Sequence, residues 1–207
     1  MKALKYILLA LVLLVNLAIA PPSLADKPKY TKNPDYIDLT QALNSLKADG
    51  ETASSPEVQN KIDELEFQKY TLESGINWGQ CRNETGKTLA VYGSKPDVKG
   101  YPYETGIYFL ADGKTTKNKW DCQGIYLPSD IKAVGLMPDG QNQELAGAVA
   151  IKIPDGSKLV VKTNTDTGAV EFNMPGTKVL KADEANWFVP KVSQEVLDRR
   201  VTNAPSN

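Results

Sequence analysis

The chain has 207 residues, with 24 basic and 25 acidic side chains, a net charge of −1 and no histidine. This near-neutral balance, without any run of Lys and Arg, argues against a nucleic-acid-binding surface. The absence of histidine excludes Ser-His-Asp and Cys-His catalysis and most zinc sites. We therefore expect no metal site and no cofactor, and any catalysis would depend on carboxylates, Lys, Tyr or a Ser-Lys pair.

The first 25 residues are predicted to be a secretory signal peptide. Lys2 and Lys5 precede an almost unbroken apolar run over 7–20, and small residues at 23 and 25 come just before Asp26. This order is typical of a cleaved export signal. Because the run is shorter than the ~20 residues of a membrane-spanning helix, we expect an exported protein with no membrane span after cleavage.

Residues 26–75 are predicted to form an extended arm followed by a helical hairpin. Asn33-Pro34 and Ser55-Pro56 are each typical of a helix N-cap followed by proline in the first turn. Apolar residues follow each pair at three- and four-residue spacing, and Gly75 is a typical helix stop. Because such a hairpin is too small to be stable alone, its apolar stripes are expected to pack on the rest of the protein.

Residues 76–207 are predicted to form an antiparallel β-domain with a short C-terminal helix. Short apolar runs alternate with turns that contain Asp-Gly or Pro-Gly, the strongest local signal for hairpins. Seven runs are predicted as strands, at 88–92, 106–110, 124–127, 131–137, 148–153, 158–163 and 169–173. The predicted fold class is therefore mainly β, a meander of about seven antiparallel strands that forms a small barrel or a sandwich.

The C-terminal segment is predicted to return to helical structure. The apolar run at 187–190 is expected to dock on the β-domain, and Ser193 is expected to cap a helix that ends near Arg200. Residues 202–207 show no periodicity and are expected to fray.

Cys81 and Cys122 are the two cysteines of the chain. In an exported protein, two cysteines usually form one disulfide. It would close a loop of about 41 residues, worth roughly 4 kcal/mol in the chain-entropy model. The alternative is a pair of buried free thiols, and a redox-active pair is disfavoured because there is no Cys-x-x-Cys spacing.

A group of aromatic residues near the cysteines is the candidate binding patch. A tryptophan stands two or three residues before each cysteine, so a disulfide would bring both to one region. The residues of this predicted patch are Trp78, Arg82, Tyr101, Tyr103 and Trp120. Their composition is typical of binding hot spots. The alternatives are tryptophans packed over the disulfide as core and an exposed aromatic row that binds carbohydrate.

Carboxylates are the remaining candidate catalytic groups. Five acidic residues could supply the acid and nucleophile of a glycosidase, namely Glu104, Asp112, Asp121, Asp130 and Asp139. Most of them lie in predicted turns, where Asp is favoured because it hydrogen-bonds the local backbone. Since their spacing singles out no pair, we assign no catalytic residue.

Three short motifs have simpler structural interpretations. Gly86-Lys87-Thr88 resembles the end of a P-loop, but Cys81 stands where that motif needs glycine, so we expect no nucleotide site. The oxygen-rich segment 164–168 lacks the later carboxylate of a calcium loop and is predicted to be a hairpin turn. Asn83-Glu84-Thr85 fits the N-glycosylation sequon, which matters only in a eukaryotic secretory pathway.

The signal peptide and the segments 76–93 and 120–130 resemble those of small exported proteins of cyanobacteria, whose mature forms lie in the periplasm or the thylakoid lumen. The resemblance implies an accessory role in either compartment and no established activity. We therefore expect a non-catalytic accessory or binding module with a protein partner at a membrane complex, such as a photosystem. The alternatives are a carboxylate-based hydrolase of the cell envelope and a carbohydrate-binding module.

Overall fold

The computed structural model describes residues 29–48, 55–136, 142–145, 147–172, 178–180 and 186–207. The predicted signal peptide and Asp139 lie outside these ranges. Within them, no helix combines the length and the apolar character needed to cross a bilayer.

Two helices at the N-terminal side, here called the helical pair, pack against each other as predicted. The elements are a 3-10 turn (Lys29–Lys32), α1 (Pro34–Ala48) and α2 (Pro56–Glu73). Asn33 Oδ1 accepts the N–H of Asp35 at 2.8 Å, and Ser55 Oγ accepts the N–H of Val58 at 3.3 Å. Gly75 follows α2 with a φ of +91°. The 3-10 turn stands where an extended arm was expected.

The helical pair has a hydrophobic cluster of its own. Its buried members are Leu39, Leu43, Ile62, Leu65 and Leu72. They recur at helical spacing, so one stripe of each helix faces the other. The cluster is separate from the two clusters of the β-rich part.

Ten strands in the described residues form two five-stranded sheets. The strands are β1 (Gln80–Glu84), β2 (Leu89–Ser94), β3 (Thr105–Leu110), β4 (Gly124–Leu127), β5 (Ala133–Leu136), β6 (Asn142–Leu145), β7 (Val149–Lys152), β8 (Lys158–Thr163), β9 (Val170–Phe172) and β10 (Lys178–Leu180). All seven predicted strands are present within two residues of their predicted ends. β1, β6 and β10 are additional.

The strand order differs from the predicted meander. Sheet 1 has the order β1-β8-β9-β5-β6, and sheet 2 has the order β10-β7-β4-β2-β3. In sheet 1 the pairs β1–β8 and β5–β9 are parallel. Both sheets keep two edge strands, so neither closes. The predicted seven-stranded antiparallel meander and the closed barrel are therefore wrong, because the chain crosses repeatedly between two open sheets.

Two hydrophobic clusters lie on the two faces of sheet 2. The inner core contains side chains from both sheets, including Val91, Ile125, Ile151, Leu159 and Val161. The outer cluster contains Ala90, Tyr92, Tyr126, Ala150, Trp187, Val189 and Leu197. Because side chains alternate along a strand, neighbours in β2 such as Val91 and Tyr92 belong to different clusters.

The segment at 187–190 docks on the outer face of sheet 2, as predicted. Tyr92 Oη donates to the carbonyl of Phe188 at 2.9 Å, and Tyr126 Oη donates to the carbonyl of Pro190 at 2.7 Å. A short helix follows, α3 (Gln194–Asp198). Ser193 makes no side-chain cap hydrogen bond. The predicted Ser193 cap is replaced by Asp130, whose carboxylate accepts the N–H of Gln194 at 2.9 Å.

Residues 203–207 are paired with the β-rich part and not frayed. The N–H of Ala204 donates to the carbonyl of Phe109 at 3.1 Å, and the N–H of Asn207 donates to the carbonyl of Thr115 at 3.0 Å. Ala204 is buried in the inner core. The fraying expectation is wrong because these backbone bonds lie along β3 and beside the segment that follows it.

The outer side of β1 is also covered. The N–H of Thr116 donates to the carbonyl of Cys81 at 2.9 Å, and the N–H of Asn83 donates to the carbonyl of Lys114 at 2.9 Å. Residues 114–117 therefore form a strand-like segment, which contacts β1 on one side and residues 205–207 on the other.

Candidate functional site

The junction between the helical pair and the β-rich part contains an apolar groove, here called the junction groove. Its volume is about 230 Å³. The apolar lining consists of Leu39, Ala42, Leu65, Ile153 and Pro154. Three of these residues come from α1 and α2 and two follow β7, so the groove exists only because the helical pair lies against sheet 2.

Two ion pairs form the rim of the junction groove. Lys152 Nζ lies 3.2 Å from Asp35 Oδ1, and Lys178 Nζ lies 2.6 Å from Asp38 Oδ2. Each pair joins a carboxylate of α1 to a lysine of sheet 2. The rim is therefore balanced in charge. The Lys178–Asp38 pair is exposed and contributes little to stability, whereas Asp35 in the other pair is only 15% exposed.

A second, polar depression adjoins the groove and is here called the acidic cleft. Its volume is about 260 Å³. The polar and aromatic lining consists of Asn33, Asp35, Glu104, Asp121, Gln123, Lys152, Asp155 and Trp187. With four carboxylates and one lysine, the cleft is negatively charged.

Asp155 connects the acidic cleft to the helical pair. It lies in the Pro154-Asp155-Gly156 turn between β7 and β8, where Gly156 has a φ of +77°. Its carboxylate accepts from Asn33 Nδ2 at 2.7 Å, and its backbone N–H donates to Asp35 Oδ2 at 2.9 Å. The turn thus holds the N-terminus of α1 through both a side chain and the backbone.

The acidity of Asp155 is reduced by its surroundings. Burial, and to a smaller degree the carboxylates of Asp121 and Asp35, raise the pKa of this carboxyl to about 6. The hydrogen bond from Asn33 and the charge of Lys152 act in the opposite direction. Asp155 therefore changes charge near pH 6, unlike an exposed aspartate.

Each of the predicted acidic candidates that lies within the described residues holds a loop in place. Asp121 Oδ1 accepts the N–H of Gly79 at 2.9 Å, and Glu104 Oε1 accepts from Asn186 Nδ2 at 3.2 Å. Asp112 Oδ1 accepts the N–H of Gly86 at 2.8 Å, and Asp130 caps α3. Of these four predicted candidates, Glu104 and Asp121 line the acidic cleft, together with Asp35 and Asp155. No group of three or more acidic or cysteine side chains in the described ranges is placed to hold a metal ion.

The structure separates the predicted binding patch into several places. Trp120 is partly buried, packs on the inner core and meets Tyr108 edge to face with ring centroids 5.2 Å apart. Its ring lies against Gly93 with no room for a Cβ at that position. The aromatic contacts of Trp120 therefore lie on the inner face of sheet 2. This position agrees with the alternative in which the tryptophan packs on the core.

Tyr101 and Tyr103 are brought together elsewhere, in the loop between β2 and β3. Their ring centroids lie 5.8 Å apart, and Tyr103 contacts Phe188 at 5.3 Å. Phe188 is 44% exposed and directly follows Trp187 of the outer cluster. These tyrosines and Trp120 thus lie toward opposite faces of sheet 2 and form no single aromatic row.

The two cysteines and the rest of the predicted patch lie around β1. Cys81 and Cys122 are fully buried, with their sulfur atoms at disulfide distance and their Cα atoms 5.9 Å apart. Arg82 pairs with Glu84 and donates to Thr115 Oγ1 at 3.2 Å. Trp78 is partly buried, and its carbonyl accepts the N–H of Gly156 at 3.1 Å.

The three short motifs have structural roles. Asn83 of the sequon is fully buried and donates from Nδ2 to the carbonyls of Lys87 and Leu110 at 2.8 and 2.9 Å. Lys87 and Thr88 lead into β2, so the P-loop-like motif is a loop before a strand. Asn164 Oδ1 accepts the N–H groups of Asp166 and Thr167, so the calcium-loop-like segment is a hairpin turn as predicted.

Asp155 and its neighbour Asn33 were not predicted as site residues. The Pro-Asp-Gly sequence around Asp155 predicts a turn, and turn chemistry alone explains why an aspartate is there. Asn33 was assigned only as a helix cap. The contact between the two residues joins distant parts of the chain, and no local pattern indicates it.

Comparison with protein-family models, with curated proteins and with solved structures finds no match for this chain.

Proposed function

We propose that the protein is an exported, non-catalytic binding module whose protein partner inserts an apolar side chain into the junction groove. The observation that carries the proposal is an open, apolar concavity of about 230 Å³ at the junction. Interface hot spots commonly consist of one bulky apolar anchor in such a pocket, surrounded by a polar rim. The size of the groove suits one or two large side chains.

The rim and the exposed face of α2 support a protein partner. The two rim ion pairs offer hydrogen-bonding groups of both signs without selecting a charged ligand. Phe67 and Tyr70 of α2 are 68% and 67% exposed, and aromatic residues are enriched at interfaces. In our proposal the partner belongs to a membrane complex of the periplasm or the thylakoid lumen, such as a photosystem.

The test compares three forms of the mature protein that begins at Asp26. In Ala42→Phe a large ring fills the groove, whereas in Gln41→Phe the same ring stands on an exposed position of α1 outside the groove lining. We expect wild type and Gln41→Phe to capture the same partner from gently solubilised native membranes. Ala42→Phe should capture about tenfold less, which corresponds to about 1.4 kcal/mol. Equal capture by all three forms would contradict the proposal.

A carboxylate-based hydrolase is the second candidate, because Asp155 shares the acidic cleft with Glu104 and Asp121 and has a pKa of about 6. A carboxyl that keeps a large protonated fraction near pH 6 suits general acid catalysis. Turnover of chromogenic glycosides near pH 6 that disappears in Asp155→Asn and persists in Asp166→Asn would favour this function. The absence of turnover in wild type would remove it.

A further inference from the structure

We propose that Asp155 is a pH-sensitive latch, which holds the helical pair tightly against the β-rich part when its carboxyl is protonated and more loosely when it is ionised. The latch would regulate the junction groove, since α1 and α2 supply three of its apolar walls. In that respect the inference rests on the proposed function. The latch itself is a property of the free protein and can be measured without a partner.

The contacts between the helical pair and the β7–β8 turn are concentrated at the latch. Asp155 contacts Asn33 through its carboxylate and Asp35 through its backbone N–H. From α2, Gln68 Nε2 donates to Ser157 Oγ at 3.2 Å and lies 3.5 Å from the carbonyl of Asp155. The side chain of Thr71 lies close to Gly156. One turn therefore holds both helices.

The helical pair is also a separate packing unit. Its hydrophobic cluster contains residues of α1 and α2 and is distinct from the inner core and the outer cluster. A unit with its own cluster can move away from its neighbours without opening them, which is the behaviour of sub-global unfolding. Loosening at Asp155 therefore affects the attachment of the pair more than its internal packing.

Charged groups surround Asp155 on several elements. The groups that share a cleft or pocket with it are Asp35 of α1, Glu73 of α2, Lys152 of β7, Glu104 and Asp121 of the loops before β3 and β4, and Lys29, Tyr30 and Lys32 of the 3-10 turn. Among these, Asp121 and Asp35 disfavour ionisation of Asp155, and Lys152 favours it. An ionised Asp155 is thus partly buried beside two further carboxylates.

The direction of the pH effect follows from the two states of the junction. With the helical pair attached, the pKa of Asp155 is about 6, against 3.8 for an exposed aspartate. Detachment of the helical pair would expose the Asp155 carboxyl to water, which removes the largest cause of its raised pKa. The attached state therefore binds the proton more tightly than the open state. The contribution of Asp155 to the stability of the attached state is fully present below about pH 4 and is lost as the pH rises through about 6. Acidification from pH 7.5 to pH 5.5 should tighten the junction.

Amide hydrogen exchange of the complete mature protein tests the latch. After correction for intrinsic exchange rates, we expect protection of the α1 and α2 amides to rise by up to about fourfold from pH 7.5 to pH 5.5. The β4 amides serve as the internal reference. In Asp155→Asn the amide oxygen can still accept from Asn33, so the protection should be high and equal at both pH values. The exposed turn variant Asp166→Asn should behave like wild type.

The proposal would be overturned if the amide protection of α1 and α2 in wild type does not change between the two pH values. It would also be overturned if the pH-dependent change in protection persists in Asp155→Asn. If Asp155→Asn does not fold, carboxyl NMR titration of wild-type Asp155 decides, and a midpoint below about pH 4.5 would overturn the proposal. Because none of these measurements includes a partner, failure of the latch is distinguishable from failure of groove binding. A pH-dependent latch with unaltered capture by Ala42→Phe would leave the latch standing without the proposed function.

Discussion

Asn83 shows how one polar side chain organises a buried part of the structure. Its Nδ2 group donates to two carbonyls, and its Oδ1 accepts the N–H and the hydroxyl of Thr85 at 3.1 and 2.7 Å. A fully buried amide with all these partners stabilises the loop from β1 to β2. The same contacts explain why the sequon at this position is not available for glycosylation in the folded protein.

Replacement of Asn83 tests this role. We expect Asn83→Ala to lower the free energy of unfolding by about 2–4 kcal/mol, because the buried carbonyl of Leu110 loses the Asn83 donor and the carbonyl of Lys87 keeps only the Thr85 hydroxyl. The neighbouring Glu84→Ala should cost less than about 1 kcal/mol, since its pairing with Arg82 is at the surface. Urea unfolding of both variants measures the difference, and equal midpoints would contradict the assigned role.

At the scale of secondary-structure elements, the seven predicted strands were found because they are apolar runs separated by turn residues. The three missed strands lack such a run. β1 has the sequence Gln-Cys-Arg-Asn-Glu, in which Asn83 occupies one of the two fully buried positions, and β6 is Asn-Gln-Glu-Leu. β10 is Lys-Val-Leu, with two apolar residues. Strands that are polar, or whose apolar run is this short, cannot be recognised by alternation of apolar residues.

Strand pairing could not be predicted for a related reason. The parallel pair β1–β8 joins segments that are separated in sequence by six other strands. Hairpin signals predict only pairing between sequence neighbours. The predicted meander followed from extending those local signals to the whole domain.

The cap of α3 provides a test at the same scale. We expect Asp130→Ala to destabilise the protein by about 1 kcal/mol, because the Asp130 carboxylate accepts the N–H of Gln194 at the start of the helix. Ser193→Ala should change stability by less than about 0.5 kcal/mol, since the Ser193 side chain makes no cap hydrogen bond. Thermal unfolding of the two variants ranks them, and a larger effect of Ser193→Ala would restore the cap that the sequence predicts.

At the scale of the whole molecule, the helical pair and most of the strands could be predicted from the sequence, but the junction between them could not. Asn33, Lys152 and Asp155 each have an ordinary local explanation, as a helix cap, an outward strand residue and a turn residue. Their convergence depends on how the helical pair lies against sheet 2. The residues of the predicted aromatic patch are near one another in sequence, but Trp120 packs on the inner core and Tyr103 contacts Phe188. The local sequence does not indicate which face of the sheet each ring lies toward.

The pairing of residues 203–207 is tested by shortening the chain to end at Thr202. We expect a loss of about 2–3 kcal/mol, because the backbone bonds to Phe109, Thr115 and Lys117 and the burial of Ala204 disappear. A chain of full length with a short Gly-Ser extension after Asn207 is the control. Equal unfolding midpoints for the shortened and extended chains would contradict a stabilising role for this pairing.

The covering of β1 and β3 has a consequence for the behaviour of the protein in concentrated solution. An uncovered edge strand offers a row of free backbone donors and acceptors to which a second molecule can add its own strand. Residues 203 and 204 use the carbonyl of Phe109 on β3, and residues 114–116 bond along β1. A chain that lacks residues 203–207 should therefore self-associate into sheet-like aggregates at concentrations where the complete chain stays dispersed.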